Sequence, residues 1–363
     1  MVKRVAVLGA TGSIGRQALD IVAAHPELEA CALASGSRPL DALSVEHPAA
    51  LCQVAGDVTE LLERSEPEVV LNAIVGFAGL PATLWALEHG VDLALANKES
   101  LVAAGELALA AQRGGGARLL PVDSEHSAAF QCLDGRPPEQ VDSLVITASG
   151  GPFRDFARES LADVTVAQAL AHPTWSMGPK ITVDSATLAN KGLEVIEAHF
   201  LFGLPYARID VVVHPQSVVH ALVRFRDGAA LAHVGHPDMR VPISFALTYP
   251  DRAGTVVPGL DLTGHELTFE EPDLDTFRML ALAYEAGEAG GTAPCALNAA
   301  NEVAVERFLL GTLPFLGIAE VVERVLDAWD PAPVETIDQL VAADARARKV
   351  AAAQSVEVTA AKA

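Results

Sequence analysis

Aromatic side chains are scarce in this sequence, at 5% of residues, and basic ones are outnumbered: 25 lysines and arginines face 47 aspartates and glutamates. A formal charge of -22 leaves no basic surface to hold nucleic acid or an anionic membrane, so neither is expected as a partner. Any anionic ligand must be met by local positive groups. Cysteine is sparse too. Cys31, Cys52, Cys132 and Cys295 show no C-x-x-C spacing, which argues against a disulfide framework or a zinc site and suits small core residues in a reducing compartment. No apolar run is long enough to span a bilayer, and the strand-like start from Val2 to Leu8 lacks the lead of a targeting peptide. A cytoplasmic location is expected. What the chain does have is apolar mass, half of its 363 residues, enough for two or three cores.

Val5 to Leu8 leads into Gly9-Ala-Thr-Gly12-Ser-Ile-Gly15 and then an amphipathic helix from Arg16 to Ala24. Such a strand, glycine turn and helix let the backbone approach a pyrophosphate and set the free N–H groups of a helix start against its charge. Tight turns also use this glycine spacing, but the flanking strand and helix favour the dinucleotide reading. After the next strand, Ala30 to Ala34, the chain carries Ser35-Gly36-Ser37-Arg38 and not the acid that would accept from the ribose 2'-hydroxyl of NAD. A 2'-phosphate, and so NADPH, is the better guest, unless Arg38 is a solvated loop arginine. Two further strand and helix pairs run from Val69 to Val75 with Pro81 to His89, and from Asp92 to Ala96 with Ser100 to Arg113. They fit a doubly wound parallel sheet with ligands at the carboxyl ends of its strands.

Asp123-Ser124-Glu125 follows an apolar run from Leu119 to Val122. On an extended segment the two acids share a face and attract a cation; alternatively Asp123 or Ser124 caps a helix from Ser127 to Leu133. A third carboxylate, Glu194, lies in the stretch from Lys180 to Gly203, read as one buried helix opened by Asp184 or Ser185, with Asn190, Lys191 and Glu194 on one side. Either Lys191 and Glu194 form an internal pair or the cluster meets a ligand. Three oxygen donors without a paired Cys or His pattern suit Mg2+ or Mn2+. Ser149-Gly150-Gly151, at the end of a strand from Ser143 to Ala148, is an anion nest or an ordinary turn. A helix from Ser160 to Ala171 is expected to stop at His172-Pro173. The run beyond it through Trp175, Met177 and Gly178 is a flap over a ligand or a loop whose tryptophan plugs the core. Strands from Ile209 to Val213, Val218 to Phe225 and Ala229 to Val234 imply a second sheet with hairpin elements. Four helices from Leu274 onward suggest a bundle, and residues 355–363 a frayed tail.

The stretches GATGSIG, NAIVGFAGL, ALANKESLV, PVDSEHSA, ASGGPF, HPTWSMG, KITVDSATLANKGLE, HPQSVVHALV, HPDMR and LNAANEVAV together resemble the 1-deoxy-D-xylulose 5-phosphate reductoisomerase family. The α/β chain is accordingly expected to comprise an N-terminal Rossmann-like doubly wound parallel sheet (1–123) and a central α+β catalytic domain (124–249). A linker (250–273) and a C-terminal helical bundle (274–363) would follow. The resemblance implies Asp123, Glu125 and Glu194 as ligands of Mg2+ or Mn2+. It implies Ser149, Ser185, Asn190 and Lys191 as holders of the substrate phosphate, with His172 beside them. Ser124 and Lys98 would contact substrate hydroxyls, Trp175 and Met177 would lie on a flexible flap, and Lys98 and His172 would act with the carboxylates in the chemistry. For NADPH it implies Thr11, Gly12, Ser13 and Ile14 at the pyrophosphate and Gly36, Ser37 and Arg38 at the 2'-phosphate. Asn97, Lys98 and Glu99 would line the site with Gly178, and Met239 would lie against the nicotinamide. The family often carries Gly-Lys-Asn or Gly-Arg-Asn where this chain reads Gly36-Ser37-Arg38, so its basic group is displaced by one place. The implied activity rearranges 1-deoxy-D-xylulose 5-phosphate, a phosphorylated sugar, by retroaldol and aldol steps. NADPH then reduces the product to 2-C-methyl-D-erythritol 4-phosphate in the non-mevalonate isoprenoid pathway, and the implied assembly is a homodimer.

Overall fold

The computed structural model describes residues 2–254 and 257–355. Their contacts fall into two compact units. One runs through Ser100 and resumes at Glu106–Gln131 and Asp238–Asp261; the other holds Leu101–Gly105, Cys132–Pro237 and the chain from Leu262.

The first unit is built on β1 (Lys3–Leu8), α1 (Ser13–Ala24), β2 (Leu28–Ser35), α2 (Asp41–Glu46), β3 (Leu51–Val54), α3 (Val58–Ser65), β4 (Val69–Asn72), α4 (Leu80–Glu88), β5 (Asp92–Leu95), α5 (Lys98–Gly115), β6 (Leu119–Pro121) and α6 (Ser124–Leu133). The six strands lie in the order β3-β2-β1-β4-β5-β6, every neighbouring pair parallel. Strands covered on both faces need continuous apolar runs, and Val5 to Leu8 and all of β4 are buried accordingly. The elements from 41 to 65 are absent from the sequence reading. They are short, and β3 at the sheet edge is only half-buried at alternate positions, so no long apolar period announces them.

The second unit takes up the chain with β7 (Val141–Ala148), α7 (Val166–Ala169), α8 (Pro179–Thr187), α9 (Ala189–Phe202), β8 (Ile209–Val213), β9 (Val219–Phe225) and β10 (Ala230–Val234). Its sheet has the order β10-β9-β7-β8, with β9 and β10 an antiparallel hairpin and β8 parallel to β7. After it α10 (Arg240–Thr248) belongs to the first unit. There it packs on α1 and lends Ile243, Ala246 and Leu247 to the core around Val5, Val7 and Leu33, while Lys3 Nζ donates to the carbonyls of Leu247 and Tyr249 at 3.0 and 3.3 Å. The last four helices, α11 (Arg278–Ala289), α12 (Ala293–Leu309), α13 (Phe315–Asp327) and α14 (Ile337–Ala353), pack on one another in the second unit, as their apolar faces lead one to expect.

Several expected elements differ. The helix read from Ser160 to Ala171 is a 3-10 turn at Arg158–Leu161 followed by α7, because Thr165 starts a new helix through a capping box with Gln168. The stretch from Lys180 to Gly203 is two helices. The first opens at Pro179, not at Asp184 or Ser185, since a proline at the first helical position lacks only an N–H that would be orphaned there. It breaks at Leu188, which takes φ +61°, and the Thr187 hydroxyl accepts the Ala189 N–H at 3.3 Å in place of the Ser185 carbonyl. Of the four cysteines Cys52 is exposed and three are buried. The expected tail beyond Ser355, and Thr255 and Val256 of the expected linker, lie outside the described residues.

Candidate active site

In the first unit the strand order reverses between β1 and β4, the place where a parallel doubly wound sheet takes its ligand. Beyond β1, Gly9 has φ +80°, and a Cβ there would stand 2.4 Å from the Ala73 carbonyl oxygen; at Gly15 it would stand 2.3 Å from the Gly9 oxygen. Only glycine lets strand, turn and helix close so tightly. Gly12 begins α1 with no side-chain cap, which leaves first-turn N–H groups available to an anion. The Thr11 carbonyl accepts from Arg38 Nη1 at 3.4 Å, and the buried Ser35 hydroxyl donates to the Arg38 carbonyl, so the exposed loop Gly36-Ser37-Arg38 is bent toward the turn.

The loop after β4 is held by two buried asparagines. Asn72 Nδ2 donates to the Gly79 carbonyl at 2.8 Å, and Asn97 Nδ2 to those of Ile74 and Gly76 at 2.6 and 2.9 Å and to Glu99 Oε2 at 3.1 Å. Asn97 Oδ1 also caps α5 by accepting from the Ser100 N–H at 3.1 Å. Next along the chain, the nearly buried Lys98 ammonium pairs with Asp123. The Asp123 carboxylate sits at the start of α6, accepting from Glu125 N at 3.3 Å, while the Ser124 hydroxyl donates to Glu125 at 2.5 Å. The extended shared-face reading of Asp123 and Glu125 is therefore corrected: a helix start brings them together, and that helix opens at Ser124, not Ser127.

In the second unit one imidazole gathers two hydroxyls. Gly151, at φ +68°, lets the loop after β7 lie so close to α8 that a Cβ would stand 2.8 Å from the Ser185 carbonyl. His172 Nε2 then lies 3.0 Å from Ser149 Oγ and 3.1 Å from Ser185 Oγ. Its tautomer follows from the other nitrogen. Nδ1 accepts from the backbone N–H groups of Thr174 and Trp175 at 3.1 and 2.9 Å, so it carries no proton and Nε2–H faces the serines. Burial pushes the His172 pKa below its usual range and favours this neutral form. Ser149 Oγ also accepts from Gly151 N at 3.2 Å, so the serine oxygens accept and their protons are left to donate, as a phosphate requires.

Asn190 and Lys191, in the first turn of α9, both donate to Glu194, and Lys191 and Glu194 are 4% and 1% exposed. The internal pair considered from sequence thus exists. Trp175 is half-buried, its ring centroid 6.4 Å from that of His220, whose pKa burial and then His233 push down to about 4. Gly178 is exposed at the start of α8, and Met239 packs against the core of the first unit ahead of α10.

A family model described as 1-deoxy-D-xylulose 5-phosphate reductoisomerase matches residues 5–53 and 41–105, and models of the C-terminal domains of that enzyme match 119–202 and 234–350. A 1-deoxy-D-xylulose 5-phosphate reductoisomerase of Pelotomaculum thermopropionicum is 48% identical over 96% of this chain and 97% of its own. The chain belongs to the 1-deoxy-D-xylulose 5-phosphate reductoisomerase family. Among solved structures it is similar to the Zymomonas mobilis reductoisomerase in complex with NADPH, at TM-score 0.88 and 40% identity over 97% of this chain and 99% of that one. It is similar also to a reductoisomerase in complex with NADPH, fosmidomycin and magnesium, at TM-score 0.91 and 39% identity over 97% and 98%.

Within this reductoisomerase fold Asn72 and His126 are two buried polar residues to which the sequence motifs assign no role. Asn72 sits inside the quoted NAIVGFAGL, where a polar residue ending an apolar strand was a legible sign of a loop anchor. His126 is fully buried with Nδ1 3.8 Å from Asp123 Oδ1. Asn97 lies where a cofactor-lining residue was expected, yet its side chain is 1% exposed and committed to the loop carbonyls, so it shapes that loop from behind.

Proposed function

We propose that the chain catalyses the NADPH- and divalent-metal-dependent rearrangement and reduction of 1-deoxy-D-xylulose 5-phosphate to 2-C-methyl-D-erythritol 4-phosphate. The observation that carries this reading is the Ser149–His172–Ser185 arrangement, a built set of hydroxyl donors in a chain of net charge -22. Together with Asn190 and Lys191 it suits the substrate phosphate. As the phosphate draws Lys191 and Asn190 to itself, the Glu194 oxygens they now engage are released.

Asp123, Glu125 and Glu194 are the residues to hold the metal; all three offer hard oxygen, which fits Mg2+ or Mn2+. Bound there, the cation supplies Lewis acidity to the ketone and hydroxyl oxygens of the sugar. Lys98, oriented by Asp123, donates to a substrate hydroxyl with Ser124 beside it. In the first unit the turn from Thr11 to Ile14 receives the pyrophosphate, through the N–H groups that follow Gly12, whose own N–H is taken by the Gly9 carbonyl at 2.9 Å; Arg38 receives the 2'-phosphate, and Met239 lies against the nicotinamide, the hydride source. The segment bearing Trp175 and Met177 closes over the sugar and keeps water out, so Trp175→Gly should depress turnover while NADPH binding survives. A homodimer in the cytoplasm completes the reading; no described helix is long and apolar enough to cross a membrane.

The test is to mix the protein with 1-deoxy-D-xylulose 5-phosphate, NADPH and Mg2+ and follow the nicotinamide absorbance, with EDTA as control. Metal-dependent oxidation is expected. Oxidation that persists in EDTA points instead to a metal-free dehydrogenase, and none at all removes the reading.

A further inference from the structure

Ser185 is preceded on α8 by Asp184, a carboxylate only 1% exposed. Burying such a charge is costly unless it is paired, and two partners meet it: Lys180 Nζ at 2.9 Å, one turn earlier on α8, and Asn301 Nδ2 at 2.8 Å, on α12 and 117 positions away. Asn301 is itself 1% exposed. Helix α8 has nine residues and ends at the left-handed Leu188, too short to be held by its own hydrogen bonds; it packs against α9, α11 and α12. Its hydroxyl at Ser185 nevertheless has to meet His172 Nε2 at hydrogen-bond distance. Lys180 stands three residues after Met177, at the end of the segment that begins with His172.

We infer that Asp184 and Asn301 are positioning residues for the phosphate half of the site. Their hydrogen bond ties α8 to α12 and so fixes where the Ser185 hydroxyl lies, and the Lys180 ammonium fastens the far end of the Trp175 segment to the same carboxylate. The ligand served is a phosphate monoester or phosphate ion. This rests on the reductoisomerase reading for the identity of the substrate and on the geometry alone for the device.

Asn301→Ala, Asn301→Asp and the reversed pair Asp184→Asn with Asn301→Asp test it. The readouts are the Kd of inorganic phosphate by calorimetry, KM and kcat with 1-deoxy-D-xylulose 5-phosphate, the Kd of NADPH, and the unfolding temperature. Asn301→Ala is expected to raise the phosphate Kd and the substrate KM roughly tenfold with the NADPH Kd unchanged, and the reversed pair to recover most of that loss. A lowered unfolding temperature with an unchanged phosphate Kd overturns the inference, as does a reversed pair no better than Asn301→Asp alone. Should Asn301→Ala not fold, Asn301→Asp keeps the shape of the side chain, removes the donor to Asp184 and decides by the same phosphate readout. Wild-type protein that binds phosphate but does not turn over the sugar phosphate removes the functional reading and leaves the positioning inference standing.

Discussion

His172 works through both ring nitrogens, and the two jobs can be separated. The carbonyl of an asparagine falls near Nδ1, and the amide of a glutamine near Nε2. His172→Asn should keep the Thr174 and Trp175 N–H groups bonded and lose the donation to Ser149 and Ser185, raising KM about fivefold for a hydrogen bond of roughly 1 kcal/mol. His172→Gln should do the reverse, and faster hydrogen exchange at the Thr174 and Trp175 amides would report it. If both variants exchange alike, the tautomer is misassigned. His220 is held neutral by burial and its pKa falls from 6.5 to about 4. Between those values the unfolded chain takes up a proton that the folded chain refuses, so stability present above pH 6.5 is lost as pH falls through the window. His172 adds in the same direction. The unfolding temperature should drop from pH 6.5 toward 4, and less so in His220→Asn. Losing a charge-assisted hydrogen bond worth roughly 1.5–3 kcal/mol, Arg38→Ala should raise KM for NADPH about 10- to 100-fold and leave that for NADH unchanged. A uniform effect on both cofactors would place the 2'-phosphate elsewhere.

At the level of elements, what could be read from the sequence is what local pattern encodes. The β1 turn and α1 announce themselves because Gly9, Gly12 and Gly15 stand between an apolar run and an amphipathic one, and the last four helices because their apolar stripes are long. The break at Leu188 was not legible. Its side chain is 3% exposed and reads as one more core residue of a continuous helix, while its left-handed φ of +61° leaves no mark on a 3.6-residue period. The pairing of Asp184 with Asn301 escaped for the same reason, being made across the chain, and that of Lys180 with Asp184 because a helix expected to open only at Asp184 or Ser185 leaves Lys180 outside it. The break yields a prediction that inverts helix propensity. Inside a helix alanine beats glycine by about 1 kcal/mol. At Leu188 the left-handed backbone costs any side chain roughly 1–2 kcal/mol, so although both substitutions lose the buried leucine, Leu188→Gly should unfold at a higher temperature than Leu188→Ala. The opposite order would mean that the two helices join into one in solution.

For the whole molecule the dominant quantity is the charge of -22. A chain this acidic gathers divalent cations over much of its surface at low ionic strength, so weak metal binding alone says little about Asp123, Glu125 and Glu194. The diffuse contribution and the specific one respond differently to salt. Raising ionic strength screens the field of the molecule and should move the Mg2+ midpoint of turnover upward for every variant by the same factor. Removing one ligand charge acts at contact distance and is screened little. Glu125→Gln should therefore need on the order of tenfold more Mg2+ than the parent at both low and high salt, about 1.4 kcal/mol of lost site affinity. Glu63→Gln, at an exposed glutamate on α3, should track the parent throughout. NADPH binding should be the same in all three without metal, because the glycine turn and Arg38 involve none of these carboxylates. If the gap between Glu125→Gln and the parent closes in high salt, the acid contributes to the general field only, and the metal must be held by other groups.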